Sequence, residues 1–324
     1  MPKASKHKMD FTVVVPTYNS SSNLQILLES LAKQSDKDFS VIVVDDPLSK
    51  DDVERVVTSY THRLNIKYVR AEQSGLSAAR NKGILLTDAD VCCFIDSDCI
   101  ADVDWIKRTR ECWQSLDDNV AGLRGKVLPM TQGFMAELLC NGVYISEIQR
   151  GGGDNISYRR QILIDVGLFD PTLRLNEDGD LERRVLKKKY RIEYDDGIVV
   201  YHNYGFTVER FFKREIKFGR GFYMLWVKTR DLSTIVPILF TSTAFLFIST
   251  TIGCGLSYIL PLLTVLSILA VTYYRRYIEH FLRRESVVYL SILLAIYVLK
   301  NICNALGFFM QMANHVTVLT RKHL

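Results

Sequence analysis

Two carboxylates one residue apart follow an apolar run of the sequence. Asp96 and Asp98 flank Ser97 and come directly after the apolar residues 91–95. A run of that kind predicts a strand buried on both faces, and at its end both carboxylates can turn toward one point. Hard oxygen ligands suit Mg²⁺ or Mn²⁺, with the remaining coordination positions left to water and substrate phosphates. The pair therefore indicates a divalent cation that holds a diphosphate, although a polar turn after a core strand is the simpler alternative.

The surrounding elements predict how these carboxylates are positioned. Strands are predicted at residues 11–15, 41–44, 66–69 and 91–95, with segments of helical spacing between them. This alternation is typical of an α/β fold with a doubly wound, mostly parallel sheet. Ligands bind beyond the carboxyl ends of such strands. Asp45 and Asp46 follow the second strand as Asp96 and Asp98 follow the fourth, which favours a binding site over two unrelated turns.

The turn after the first strand excludes the common phosphate-binding loops. Residues 16–23 contain no glycine, whereas a dinucleotide fingerprint or a P-loop requires several. A bound phosphate would then be held through a metal ion. We expect no nucleic-acid partner.

Five short motifs, taken in order, resemble the family 2 glycosyltransferases of GT-A fold. They are Val-Val-Val-Pro-Thr-Tyr-Asn at 13–19, Val-Val-Asp-Asp at 43–46, Ala-Ala-Arg-Asn-Lys-Gly at 78–83, Ile-Asp-Ser-Asp at 95–98 and Glu-Asp at 177–178. The resemblance covers roughly residues 10–205. It implies a catalytic domain at 11–205, a nucleotide-sugar donor and inversion of the anomeric centre by direct displacement.

The resemblance also implies a role for individual residues. The implied donor-binding residues are Pro16, Thr17, Tyr18, Asn19, Asp45, Asp46, Arg80, Asn81, Asp96, Ser97 and Asp98. The implied Mn²⁺ or Mg²⁺ ligands are Asp96 and Asp98, with His202 as a third ligand or, alternatively, as an ordinary residue after a strand. Asp178 matches the catalytic base. Further contacts to an acceptor or a diphosphate are expected from Glu177, Arg220 and Lys300, although a carboxylate such as Glu177 is also favoured at a helix start by the helix dipole.

Three features of this chain differ from the motif pattern of the family or add to it. Pro47 and Leu48 follow Asp46 where the family often has Gly-Ser, so the loop on the ribose side has a different shape. No Gln-x-x-Arg-Trp motif follows the Glu-Asp motif, which favours transfer of a single sugar over processive synthesis. The loop 151–155, Gly-Gly-Gly-Asp-Asn, is either a lid over the donor or only a long turn.

The last third of the chain predicts a membrane region. Basic and aromatic residues alternate over 206–230, as in a helix that lies in a membrane surface. The 43 residues 232–274 include no charged side chain, and one span needs about 20 residues. Two to three transmembrane helices are therefore predicted, at about 233–253 and 254–274 and, as a third that either spans or does not, at 287–312, within a membrane region at 231–324. The arginine-rich segment 275–284 places the catalytic domain on the cytoplasmic face of a multi-pass protein.

Composition agrees with one large domain and an appendage. The chain has 324 residues, of which 48% are hydrophobic, and a net charge of +5. Its mean hydropathy of +0.05 is high for a soluble protein. Seven cysteines without a Cys-x-x-Cys pair indicate a reducing compartment. Residues 1–10 are predicted to be a flexible tail.

The motif resemblance and the apolar last third together imply an inverting hexosyltransferase that passes one sugar from a nucleotide-sugar to a lipid-linked or membrane-proximal glycan. Membrane lipids are its further expected partners. Two enzymatic alternatives remain, a polyprenyl-phosphate glycosyltransferase and a polysaccharide synthase. A non-catalytic sugar-binding membrane protein is a further alternative, which loss of the acidic motifs would favour.

Overall fold

The computed structural model describes residues 9–130, 152–203, 207–231 and 287–322, and the chain forms two compact units. The first unit comprises Met1–Gly133 and Tyr144–Gly205, and the second comprises Phe134–Val143 and Phe206–Leu324.

The first unit alternates strands and helices along its N-terminal half, as the apolar periodicity predicts. Its elements are β1 (Phe11–Thr17), α1 (Ser21–Ala32), β2 (Ser40–Asp45), α2 (Val53–Thr58), β3 (Ile66–Arg70), α3 (Leu76–Leu85), β4 (Val91–Phe94), β5 (Cys99–Ala101), α4 (Trp105–Ser115), β6 (Val120–Pro129), β7 (Ile156–Arg159), α5 (Arg160–Asp165), α6 (Glu177–Lys187) and β8 (Arg191–His202).

These strands form one eight-stranded sheet in the order β3-β2-β1-β4-β7-β6-β8-β5. The first four strands in that order are parallel to one another. β7 then runs antiparallel to both β4 and β6, while β6 and β8 are parallel. The predicted α/β sheet of GT-A type is confirmed, with the antiparallel strands confined to its second half.

Apolar layers cover both faces of this sheet, which is why its central strands have few polar residues. Leu24, Leu27, Leu28 and Leu31 of α1 are fully buried against one face, as their helical spacing requires. A second cluster on the other face includes Phe94, Phe169 and Leu181. A sheet enclosed in this way presents its polar residues at the strand ends.

The second unit contains two long helices, α7 (Val208–Thr229) and α8 (Val287–Lys322). Tyr223 of α7 packs with Ala305 and Phe308 of α8. The buried Asn304 donates through Nδ2 to Oε2 of the buried Glu215 at 3.2 Å. α8 therefore directs both apolar and polar side chains toward α7.

The predicted multi-pass membrane location with a cytoplasmic catalytic domain is contradicted. Across the described ranges, none of the helices has both the length and the apolar character needed to cross a membrane. The predicted span 287–312 falls within α8, where Lys300 and Asn304 are buried in a helix that packs on a neighbour. The spans predicted at 233–253 and 254–274 lie outside the described residues.

Candidate active site

The carboxyl ends of neighbouring strands bring the predicted acidic residues to one edge of the sheet. The buried Pro16 precedes Thr17 at the end of β1, and Thr17 is in register with Asp45 at the end of β2. Asp96 and Asp98 follow β4, which pairs with the other side of β1. Because these three strands are parallel and adjacent, their final residues share one edge.

Thr17 and Asp45 each carry a buried oxygen without a hydrogen bond to any residue that the structure describes. The atoms are Oγ1 of Thr17 and Oδ1 of Asp45, and the two residues are 4% and 0% exposed. The second Asp45 oxygen accepts from the Tyr68 hydroxyl at 3.2 Å. Burial raises the pKa of Asp45. Since buried polar atoms normally have partners, this position suits a polar group of a ligand.

Asp46 has a different role from Asp45, because protein groups occupy both of its oxygens. Oδ2 accepts from the Ser74 hydroxyl and from the Gly75 amide, both at 2.8 Å, and Oδ1 accepts from the Leu48 amide at 2.9 Å. Asp46 therefore joins the loop after β2 to the turn that begins α3.

Two predicted donor-site asparagines hold segments of the first unit together. Asn19 accepts through Oδ1 from the Lys50 amide at 2.7 Å. Asn81 donates through Nδ2 to the Phe169 carbonyl at 2.8 Å and accepts through Oδ1 from the Phe169 amide at 2.9 Å. Tyr18 beside Asn19 is 57% exposed, so its ring is accessible to a ligand.

Arg80 of α3 lies between two of the acidic motifs. Its NH1 group donates to Oε1 of Glu177 at 2.8 Å. Its NH2 group donates to Oδ1 of Asp96 at 3.1 Å and to the Gly153 carbonyl at 2.9 Å. The arginine is 1% exposed, and the two carboxylates balance its buried charge.

Asp98 faces His202, and strand pairing explains the approach. β5 follows Asp98 and runs antiparallel to β8, which places Cys99 opposite His202. The Asn203 amide donates to the Asp98 carbonyl at 3.0 Å. Oδ1 of Asp98 then lies 3.5 Å from Nε2 of His202.

A divalent cation fits this group. One ligand atom from each of Asp98, Cys99 and His202 lies within 4.8 Å of the others. Carboxylate oxygen suits Mn²⁺ or Mg²⁺, whereas imidazole nitrogen is more typical of transition-metal sites and so favours Mn²⁺ of the two. Burial and nearby aspartates raise the pKa of the Cys99 thiol well above its usual range, and the thiol is the poorest ligand of the three because Mn²⁺ and Mg²⁺ prefer oxygen ligands to sulfur. Burial also raises the pKa of Asp96 and of Asp98, and a bound cation would favour their ionised forms.

Asp178 begins α6, where backbone amides hold its carboxylate. The Gly179 amide donates to Oδ1 at 2.8 Å and the Gly153 amide donates to Oδ2 at 3.3 Å. Asn176, just before the helix, has a φ of 59°, which turns the chain sharply into α6. Two backbone amides therefore fix the orientation of the Asp178 carboxylate.

The loop before β7 contributes a carboxylate that the motifs did not identify. Oδ2 of Asp154 lies 4.0 Å from Nε2 of His202, and the Gly152 amide fixes the other oxygen at 2.8 Å. Asn155 anchors the loop by accepting from the Trp105 indole at 2.9 Å. Residues 152–155 therefore form a turn beside the site, and Gly151 lies outside the described residues. The sequence signal that could have identified Asp154 is its position directly after three glycines.

Arg220 and Lys300 belong to the second unit, on α7 and α8. An Arg220 guanidinium nitrogen lies 4.0 Å from the sulfur of Met310, and Lys300 is 8% exposed. Their contact with an acceptor or a diphosphate stays a prediction.

Two family models match the chain. The model described as "Glycosyl transferase family 2" matches residues 12–167, and the model described as "Glycosyl transferase family group 2" matches residues 92–310. The second match covers more than half of the chain and includes every acidic motif from Asp96 onward.

Individual relatives match with partial coverage. The validoxylamine A glucosyltransferase of Streptomyces hygroscopicus subsp. jinggangensis is 40% identical over 33% of this chain and 26% of its own length. The pre-mycofactocin glycosyltransferase of Mycobacterium tuberculosis is 26% identical over 79% of this chain and 55% of its own length. The chain thus spans between about a quarter and about half of these relatives.

A solved structure shares the fold. The mannosyltransferase PcManGT of Pyrobaculum calidifontis, solved with GDP-mannose and Mn²⁺, superposes with a TM-score of 0.63. The match covers 94% of this chain and 88% of PcManGT at 17% sequence identity. At that identity the likeness concerns the fold alone.

Proposed function

The chain belongs to the family 2 glycosyltransferases, and from that premise we propose that it transfers a single sugar from a nucleotide-sugar to a hydroxyl group of a glycan. The observation that carries the proposal is the joint placement of Asp96, Asp98 and Asp178 in the first unit. Arg80 contacts Asp96 directly, and Gly153 contacts both Arg80 and Asp178.

The base of the donor would bind beside Thr17 and Asp45. Their buried oxygens without partners fit a base that offers a ring N–H, such as uracil or guanine, because an ionised carboxylate accepts hydrogen bonds and donates none. Pro16 at the end of β1 and Tyr18 and Asn19 after it would line the nucleotide, and Asp46 would hold the neighbouring loop after β2 in shape. Asn81 and Ser97 would complete the donor site.

Asp96, Asp98 and His202 would hold the Mn²⁺ or Mg²⁺ ion of this site. Such an ion would neutralise the negative charge that develops on the departing nucleoside diphosphate. The support within this chain is the 3.5 Å approach of Asp98 to His202 and the oxygen and nitrogen character of the ligands.

Asp178 would act as the general base. It would accept the proton of the acceptor hydroxyl as that oxygen attacks the anomeric carbon and the nucleoside diphosphate leaves from the opposite side, which inverts the configuration. General-base assistance of this kind contributes about 10²–10⁴-fold. The two amides on the Asp178 carboxylate support the assignment because they fix its orientation.

The acceptor that we propose is a glycan hydroxyl, including one on a lipid-linked glycan. A phosphate monoester acceptor is largely ionised near pH 7, since its second pKa is about 6. It would need no base, and Asp178 and Glu177 would repel it. Glu177 stays a proposed contact for the acceptor hydroxyl, and Arg220 and Lys300 stay proposed contacts for the acceptor or for a diphosphate.

A panel of nucleotide-sugars tests the donor. The purified full chain would be incubated with UDP-, GDP- and dTDP-sugars, with Mn²⁺, with Mg²⁺ or with a chelator, and nucleotide release would be measured. We expect metal-dependent release from one donor class. Absence of both release and nucleoside-diphosphate binding across the panel would refute the proposed function.

A further inference from the structure

Arg80 is an arginine that is almost fully buried and is shared by three separate segments. Its acceptors are Asp96 after β4, Gly153 in the loop before β7 and Glu177 at the start of α6. Both terminal nitrogens of Arg80 have acceptors, which holds the planar guanidinium in one orientation. Asp96 belongs to the segment that also carries the proposed ligand Asp98, Glu177 lies next to the proposed base, and Gly153 belongs to a third segment.

Gly153 connects this arrangement to Asp178. Its carbonyl accepts from Arg80 at 2.9 Å, and its amide donates to Oδ2 of Asp178 at 3.3 Å. A Cβ atom at position 153 would lie 2.4 Å from the nearest Arg80 nitrogen. A side chain at position 153 would thus displace the guanidinium, and a displaced Arg80 would release the residue that orients Asp178.

We propose that Arg80 is a positioning residue that couples Asp96 to Asp178, acting through Gly153 and Glu177 without direct contact to the reacting atoms. The inference deepens the proposed function, on which it rests for the role of Asp178 as base. It differs from the role that the motif resemblance implies for Arg80, which is contact with the donor nucleotide.

A lysine at position 80 could not perform this task. Arginine reaches Glu177 with one terminal nitrogen and Asp96 and Gly153 with the other, whereas lysine has one terminal nitrogen on a flexible stem. Arg80→Lys therefore keeps the positive charge but cannot reproduce the planar geometry. A misplacement of about 1 Å in a reacting group can lower turnover by about a hundredfold.

Two variants disturb the contact between Arg80 and Gly153, one from each residue, and a third variant serves as a control. Arg80→Lys removes the planar group, while Gly153→Ala pushes the same guanidinium from the loop. Arg110→Lys is the matched control, because Arg110 also connects several segments through Asp36 and the carbonyls of Met9 and Asp38.

Hydrogen exchange followed by mass spectrometry gives a readout that needs no substrate. In Arg80→Lys and Gly153→Ala we expect peptides covering 152–159 and 176–187 to exchange about tenfold faster, as for the loss of a charge-assisted hydrogen bond. Arg110→Lys should leave these two peptides unchanged. A uniform acceleration across the whole first unit would mean that Arg80 is only structural and would overturn the proposal.

Kinetics and binding then separate positioning from nucleotide contact. For a positioning residue, kcat falls by at least about tenfold in both variants, while the dissociation constant of the nucleoside diphosphate measured with a chelator stays within about twofold of wild type. If instead that constant rises tenfold or more and kcat is unchanged, Arg80 binds the nucleotide and the proposal is wrong. If the wild-type chain releases no nucleotide from any donor, the proposed function fails, while the exchange of the two peptides still decides the role of Arg80.

Discussion

The carboxylates at the edge of the sheet differ in the partners that each one meets. Asp46 has hydrogen bonds from protein groups on both oxygens, and Asp45 keeps one buried oxygen that has no hydrogen-bond partner among the described residues. Asp96 is held by Arg80, and its side chain is 27% exposed. Asp98 faces His202 with a side chain that is 37% exposed. At the scale of single residues, Asp98 therefore has the most room for a cation and its water ligands.

The first prediction concerns Asp98. Asp98→Ala should weaken Mn²⁺-dependent binding of a nucleoside diphosphate by at least about tenfold, because loss of a single outer-shell partner of a metal already has effects of that size. Isothermal titration calorimetry with and without Mn²⁺ measures the effect. Asp118→Ala is the control, since Asp118 is fully exposed beside Arg159 and should bind as the wild type does. Unchanged affinity in Asp98→Ala with metal present would show that Asp98 is not a ligand.

The second prediction concerns Asp178. The substitution Asp178→Asn removes the proton acceptor but keeps the size of the side chain. We expect turnover to fall by at least about a hundredfold, with donor binding retained. Single-turnover transfer and calorimetric donor binding measure the two quantities. Transfer at a near wild-type rate would remove Asp178 as the base and would favour a phosphate acceptor.

At the scale of elements, the contact of α7 with α8 depends on two glycines. A Cβ atom on Gly219 would lie 1.9 Å from the Asn304 carbonyl oxygen, and one on Gly307 would lie 1.9 Å from the Ile216 carbonyl oxygen. Both obstacles are backbone atoms, so a side-chain rotation cannot relieve them. The two helices thus approach closely on either side of the buried Asn304.

The third prediction tests that approach. Gly219→Ala should lower the free energy of unfolding by about 1–3 kcal/mol, as expected for overpacking of a close contact. Denaturant unfolding followed by circular dichroism measures the change. Lys217→Ala, on the exposed face of the same helix, should change it by less than about 0.5 kcal/mol. Equal stability of the two variants would mean that the helices do not approach this closely.

At the scale of the whole molecule, the described donor-side and base residues all belong to the first unit, whereas Arg220 and Lys300 belong to the second. A ligand that binds only the folded first unit must stabilise that unit by mass action. The size of that stabilisation depends on ligand concentration relative to its dissociation constant.

The fourth prediction is a shift in melting temperature. With Mn²⁺ and a nucleoside diphosphate at about 100 times the dissociation constant, we expect about 2.7 kcal/mol of stabilisation, or about 5–10 °C for a unit of this size. Differential scanning fluorimetry measures the shift. Asp98→Ala should lose most of it, and a shift of equal size in that variant would contradict the proposed metal ligands.

The apolar run 287–312 illustrates where sequence reasoning about this chain was wrong. Hydropathy records how apolar a segment is but not which neighbour covers it. Lys300 and Asn304 are buried in α8, and Asn304 meets Glu215 of α7, although the two residues lie 89 positions apart in the sequence. A pairing over that distance cannot be read from a local pattern.

The sequence by itself determined the α/β sheet, because apolar runs of strand length alternate with helical spacing over residues 11–95. It also determined which acidic residues follow the strands, since chain order sets the strand ends. Only the tertiary structure decided what each acidic residue meets. Asp46 joins two loops and Arg80 joins three segments, and Asp154 approaches His202 from a loop that no motif identified. Those contacts depend on how segments far apart in the chain pack against one another, and local periodicity contains no record of that packing.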